Sequence, residues 1–121
     1  MAWSFNGREP VFIQIVQRLR ADIIRGKYSP DEQFPSVRQL ASIAAVNPNT
    51  MQKALACLEE EGLLYSKGTV GRFVTVDEAV IARAREKMRR EMVKNMLWEA
   101  GALGISENEL INYIIEEGKR T

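Results

Sequence analysis

The chain has 121 residues, 45% of them hydrophobic and 27% charged, which suffices for one modest core and excludes both a disordered chain and a large multidomain enzyme. Lys plus Arg number 17 and Asp plus Glu 16, so a net charge of +1 excludes a polycationic tail as the means of engaging nucleic acid; any basic surface must be assembled locally by folding. His is absent and Cys57 is the single cysteine, which removes the usual neutral-pH general base, the commonest metal ligand and any internal disulfide.

The start, MAWSFNGREP, lacks the basic-then-apolar layout of a signal peptide, and no apolar run approaches the roughly 20 residues that span a bilayer. A soluble, cytoplasmic protein without membrane contact is expected. From Val11 to Arg25 the apolar residues Phe12, Ile15, Val16, Leu19, Ile23 and Ile24 recur at helical spacing, with Pro10 suited to the first turn and Gly26 ending the helix. A second helix starts at the N-cap Ser36, whose partner Gln39 three residues on forms a capping box. Val46-Asn47-Pro48-Asn49-Thr50 closes it in a tight turn and launches a third, with Asn47 as cap and Pro48 preorganised for the first helical position. Met51, Ala54, Leu55 and Leu58 face inward there, and Asn49, Thr50, Gln52 and Lys53 stand near the helix start. Gly62 ends that helix. Leu63 to Tyr65 and Phe73 to Val76 then read as paired strands around a tip bracketed by Gly68 and Gly71.

Asp77 caps a further helix carried to about Ala100, a rod of about 35 Å. Ile81, Met88, Met92 and Met96 line one side of it. Gly101 to Gly104 turn the chain, and Ser106 with Glu109 repeats the capping box before Leu110, Ile111, Ile114 and Ile115. The predicted fold is mainly α with a small β-hairpin: an N-terminal winged helix-turn-helix over residues 1–76, followed by a two-helix dimerisation tail over 77–121. The first segment holds nine basic and seven acidic residues and the second eight and nine, so the slight positive bias lies on the first. The tail's apolar stripe is too large for two helices to bury alone. Pairing with a second copy hides it and spaces two reading heads across a palindromic operator.

At this point the sequence resembles the N-terminal domain of the GntR family of bacterial transcriptional regulators. The resemblance rests on Pro35-Ser36-Val37-Arg38-Gln39-Leu40-Ala41, Val46-Asn47-Pro48-Asn49-Thr50, Leu58-Glu59-Glu60-Glu61-Gly62-Leu63 and Gly71-Arg72-Phe73-Val74. The Asn-Pro-Asn-Thr turn and the short helical tail are similar to the YtrA subfamily. The resemblance implies a homodimer on double-stranded operator DNA, usually a repressor, whose controlled genes in this subfamily often include an ABC transporter operon. It also implies DNA contacts from Arg38 and from Asn47, Asn49, Thr50 and Gln52. Ser36, Lys53 and Lys67 are further candidates beside them. Arg pairs with guanine in the major groove, Asn or Gln with adenine, and Thr50 with a phosphate through its hydroxyl or backbone N–H.

Four departures stand out. Arg72 occupies a wing position where many relatives have a small hydroxylated residue, and it is expected to add a phosphate or minor-groove contact. Pro30-Asp31 stands where Pro-Gly is common, Phe34 where Leu is common, and Gln52 where many members have Arg.

Simpler roles compete with each reading. Arg38 could be a plain surface charge, Asn47 only a cap, and Lys53 and Lys67 only solvated cations. The methionines fit packing better than a metal or haem site, Glu59 to Glu61 fit a solvated surface better than a catalytic pair, and Cys57 fits a small buried hydrophobe better than a nucleophile. Neither a Walker pattern nor a dinucleotide fingerprint is present, so no cofactor and no enzymatic activity are expected. The tail is too short for an evident pocket of its own, so any small-molecule effector would sit between subunits. The alternative function is a winged-helix protein-assembly module that touches nucleic acid only weakly.

Overall fold

The computed structural model describes residues 2–121. Its elements in chain order are α1 (Val11–Ile24), α2 (Val37–Ala44), α3 (Pro48–Glu60), β1 (Leu64–Lys67), β2 (Gly71–Val74), α4 (Glu78–Ala102) and α5 (Glu107–Arg120). One compact unit extends to Ala84 and a second runs from Arg85 to Thr121.

Local chemistry fixes the helix boundaries of the first unit. The Ser36 hydroxyl accepts the Gln39 N–H at 3.1 Å and the Gln39 side chain accepts the Ser36 N–H at 2.9 Å, satisfying two donors that α2 leaves without intrahelical partners. Asn47 Oδ1 accepts the Asn49 N–H at 2.7 Å, with Pro48 opening α3. Between these helices the chain reverses at Ala45, which adopts φ 58° and ψ 50°, while the Val46 N–H returns to the Ala41 carbonyl at 3.0 Å. An alanine here performs the left-handed turn usually given to glycine.

The core of this unit joins Ile15, Leu19 and Ile23 of α1 to Leu40 of α2, to Met51, Leu55 and Leu58 of α3, and to Leu63, Leu64 and Val74 around the hairpin. Cys57 is half-buried against it, as a small hydrophobe would be. Leu58 is completely buried, so Leu58→Ala removes packed methyl groups and leaves a cavity. A loss of about 2–5 kcal/mol is expected, read from urea unfolding; an unchanged midpoint would contradict this core assignment.

β1 and β2 pair antiparallel, with Leu64 opposite Val74, Tyr65 opposite Phe73, Ser66 opposite Arg72 and Lys67 opposite Gly71. The return strand ends earlier than the sequence suggests. The Thr75 N–H still reaches the Leu63 carbonyl at 3.0 Å, but its hydroxyl accepts the Asp77 N–H at 3.1 Å and turns the chain toward α4. The segment before α2 lies along β2: Phe34 N–H donates to the Arg72 carbonyl at 2.8 Å and Val74 N–H to the Glu32 carbonyl at 3.0 Å.

Asp77 caps α4 through a 3.0 Å bond from the Ala79 N–H. The first turns of α4 belong to the N-terminal core, because Val80, Ile81 and Ala84 pack against it. Packing therefore carries this unit past Val76, and Ile81, expected in the tail's stripe, is engaged by the core. In the second unit α4 continues through Gly101 to Ala102, and the chain turns at Gly104, with the Ile105 N–H on the Ala100 carbonyl at 2.8 Å. Ser106 and Glu109 form both arms of the expected capping box, at 3.0 and 3.2 Å. Among the described residues no helix is long and apolar enough to cross a membrane.

Candidate nucleic-acid interface

Two helix starts and a hairpin carry the candidate DNA-contacting side chains of the first unit. Arg38 lies in the first turn of α2, exposed, and among the described residues no hydrogen bond or ion pair engages its guanidinium. Ser36 beside it is also exposed, with its hydroxyl oxygen committed to the cap. On α3, Met51, Ala54, Leu55 and Leu58 are buried, so the helix turns Asn49, Gln52 and Lys53 outward and leaves Thr50 half-buried at the edge. Asn47 spends its oxygen on capping, which leaves its amide nitrogen as a donor. The Thr50 N–H already donates to the Asn47 carbonyl at 3.0 Å. Of the two phosphate donors expected at Thr50, only the hydroxyl is therefore available.

The remaining cations differ from Arg38 in having intramolecular partners. Lys53 Nζ sits 3.9 Å from the centre of the Phe12 ring, held by the attraction of a cation for an aromatic face. Lys67 bonds Asp31 at 3.2 Å and lies 4.2 Å from the centre of the Phe73 ring. Arg72 donates from Nε to Glu59 at 2.9 Å, with its side chain 20% exposed. The pleat of β2 puts Arg72, expected to add a phosphate or minor-groove contact, on the same side of the hairpin as α3, where a carboxylate meets it.

Both carboxylates, Asp31 and Glu59, take partners that their sequence neighbourhoods do not indicate. Asp31 occupies the left-handed region at φ 64°, a conformation that short polar residues such as Asp tolerate, and its side chain accepts from Tyr65 and Lys67. Those hydrogen bonds, from Tyr65 first and then Lys67, hold the Asp31 carboxyl below the usual carboxylate range. Glu59, read as solvated surface, is instead bonded to Arg72 and Ser66. Sequence separation hides such pairs, since nothing local to Glu59 announces a hairpin partner.

At the wing tip Gly71 is constrained twice: φ is 139°, and a Cβ there would come within 3.0 Å of the Gln33 side chain, which donates to the Val70 carbonyl. Between this tip, the segment before α2 and the start of α2 lies an open cleft of about 1150 Å³ whose lining includes Gln33, Ser36, Arg38, Thr69 and Val70. Polar groups and a free cation along such a concave face suit a nucleic-acid backbone. Among the described residues no group of three or more potential ligand side chains could hold a metal ion.

Residues 13–74 match the model of the bacterial regulatory proteins of the gntR family. The chain belongs to the GntR family. GntR proteins are DNA-binding transcriptional regulators rather than enzymes, and the family's short YtrA branch is the part this chain resembles over its whole length. It is 30% identical over 108 residues to the HTH-type transcriptional repressor YtrA of Bacillus subtilis, covering 88% of this chain and 83% of that one. A GntR family transcriptional regulator from Listeria monocytogenes superposes with a TM-score of 0.86 at 30% identity, over 93% of this chain and 98% of that chain. The DNA-binding domain of AraR, solved in complex with operator ORX1, superposes with a TM-score of 0.56 at 31% identity, over 60% of this chain and 93% of that one.

The tail of this GntR protein displays its apolar residues. Met92 is 60% exposed and Trp98 75%, and Met96, Ile111, Ile114 and Ile115 are exposed as well, with Met88 and Leu110 half-buried. Ala100 is the buried hydrophobic residue of this unit.

Proposed function

We propose that the protein is a homodimeric repressor that reads a palindromic operator with Arg38, Asn49 and Gln52, while Ser36, Asn47, Thr50 and the wing tip position the backbone. The observation that carries this is the free, exposed Arg38 guanidinium beside the solvent-facing start of α3. An arginine so placed can donate two parallel hydrogen bonds to guanine, and an asparagine or glutamine can do the same for adenine. The operator complex of AraR and the repressor YtrA, both similar to this chain, support the reading. Resemblance to the YtrA subfamily adds an operon encoding an ABC transporter as the target, and a cytoplasmic location follows from that role.

The exposed rows of α4 and α5 supply the dimer face in this proposal, with Met92, Met96 and Ile114 at its centre. A gel-shift survey of genomic fragments, including the region upstream of the protein's own gene, tests the reading. One or a few fragments are expected to outcompete bulk DNA by 1000-fold or more (about 4 kcal/mol), and equal binding to all fragments would refute it.

A further inference from the structure

Glu59 stands near the end of α3, and a single carboxylate oxygen receives both strands of the hairpin: Ser66 Oγ donates to it at 3.0 Å and Arg72 Nε at 2.9 Å. Ser66 and Arg72 are cross-strand partners. They lie on the hairpin face that continues outward from the buried pair Leu64 and Val74, so the carboxylate extends the core contact of the wing by one polar layer. Helix α3 also carries the candidate base-reading residues, so whatever fixes the hairpin against it sets the distance between the two DNA-contacting elements.

We infer that Arg72 is a positioning residue, tying the wing to the recognition helix through Glu59, and that it is not a phosphate ligand. The inference rests on the DNA-binding role proposed above for its consequence, but the tie itself exists in the free protein. Three features favour it. The guanidinium is directed at Glu59 and is mostly covered. The carboxyl of Glu59 is held below the usual carboxylate range by the bonds from Arg72 and then Ser66, so it keeps its charge for the pair throughout the neutral range. A negative side chain in the last turn of a helix opposes the helix dipole, and a cation beside it offsets that penalty.

The two roles predict opposite behaviour for Glu59. As a tie, Glu59→Ala loosens the wing and weakens operator binding. As a mere competitor for a phosphate-seeking arginine, its removal frees Arg72 and strengthens binding. The test compares Glu59→Ala, Arg72→Ala and the double variant in the full chain. Hydrogen exchange of the Tyr65, Phe73 and Thr75 amides, which face the partner strand in this register, is followed without DNA, and operator affinity is followed across salt concentrations.

In the free protein each single variant is expected to speed exchange at these amides about tenfold, and the double variant to add little, as for members of one interaction. On the operator, both variants are expected to bind about tenfold more weakly with the salt slope of the parent. Unchanged exchange in both single variants would overturn the tie. So would a slope reduced by about one unit in Arg72→Ala together with tighter binding by Glu59→Ala, the pattern of a phosphate contact. Should no DNA fragment be preferred, the operator proposal fails alone, because the exchange measurement still decides the tie.

Discussion

Arg38→Ala is expected to bind operator DNA about 5- to 150-fold more weakly than the parent, the loss that accompanies removal of one bidentate contact to a base. Folding should be unaffected, because the side chain is exposed and no partner engages it among the described residues. Nonspecific binding should survive almost unchanged, since with a net charge of +1 it draws on weak, distributed attraction. The discriminating measurement is a panel of operators carrying each base at each position. The parent should prefer guanine at one position of each half-site, and Arg38→Ala should bind all four bases there equally. A uniform loss across the panel, with the salt slope lowered by about one unit, would make Arg38 a phosphate contact and would sink the base-reading role. Lys53→Ala is the informative comparison. Its ammonium already rests on the Phe12 ring, so its removal should change affinity less than threefold.

What could be read from residues alone divides by distance along the chain. The Ser36 and Ser106 capping boxes, the Asn47-Pro48 start of α3 and the Asp77 cap of α4 are set by side chains within three residues of the groups they satisfy, and each stands in the structure where its spacing placed it. The helix-turn-helix and its wing follow from that local order. The reversal at Ala45 is local yet gave no signal, because alanine rarely takes a left-handed conformation and the turn is held by the bond from Val46 to Ala41. Contacts that close across the fold were invisible. Arg72 meets Glu59 and Lys67 meets Asp31 only after the hairpin has formed and the segment before α2 has joined its edge. Isolated charges thus looked like free DNA contacts when two of them are already paired. Arg38 keeps its expected exposure because its position in the first turn of a capped helix has no neighbour that could reach it.

The helical tail governs affinity in a different way. Replacing Met92 and Ile114 together by Glu puts two charges on apolar surface that is uncovered in the single chain. If two copies bury this face against each other, each charge must be desolvated without a partner, which costs several kcal/mol and separates the subunits. Sedimentation should then show a monomer at micromolar concentration where the parent is a dimer. Operator affinity should fall by 100-fold or more, because two linked heads bind with the advantage of a high effective concentration and separate heads do not. Binding to an isolated half-site should stay at the parent's level, since the core and the start of α3 lie in the other compact unit. Lys94→Glu serves as the control, being about half a helical turn away from Met92 on α4, and it should leave the dimer intact. A double variant that remains dimeric with undiminished operator affinity would show that another surface joins the subunits. A monomer that still binds the full operator like the parent would show that the heads never acted together.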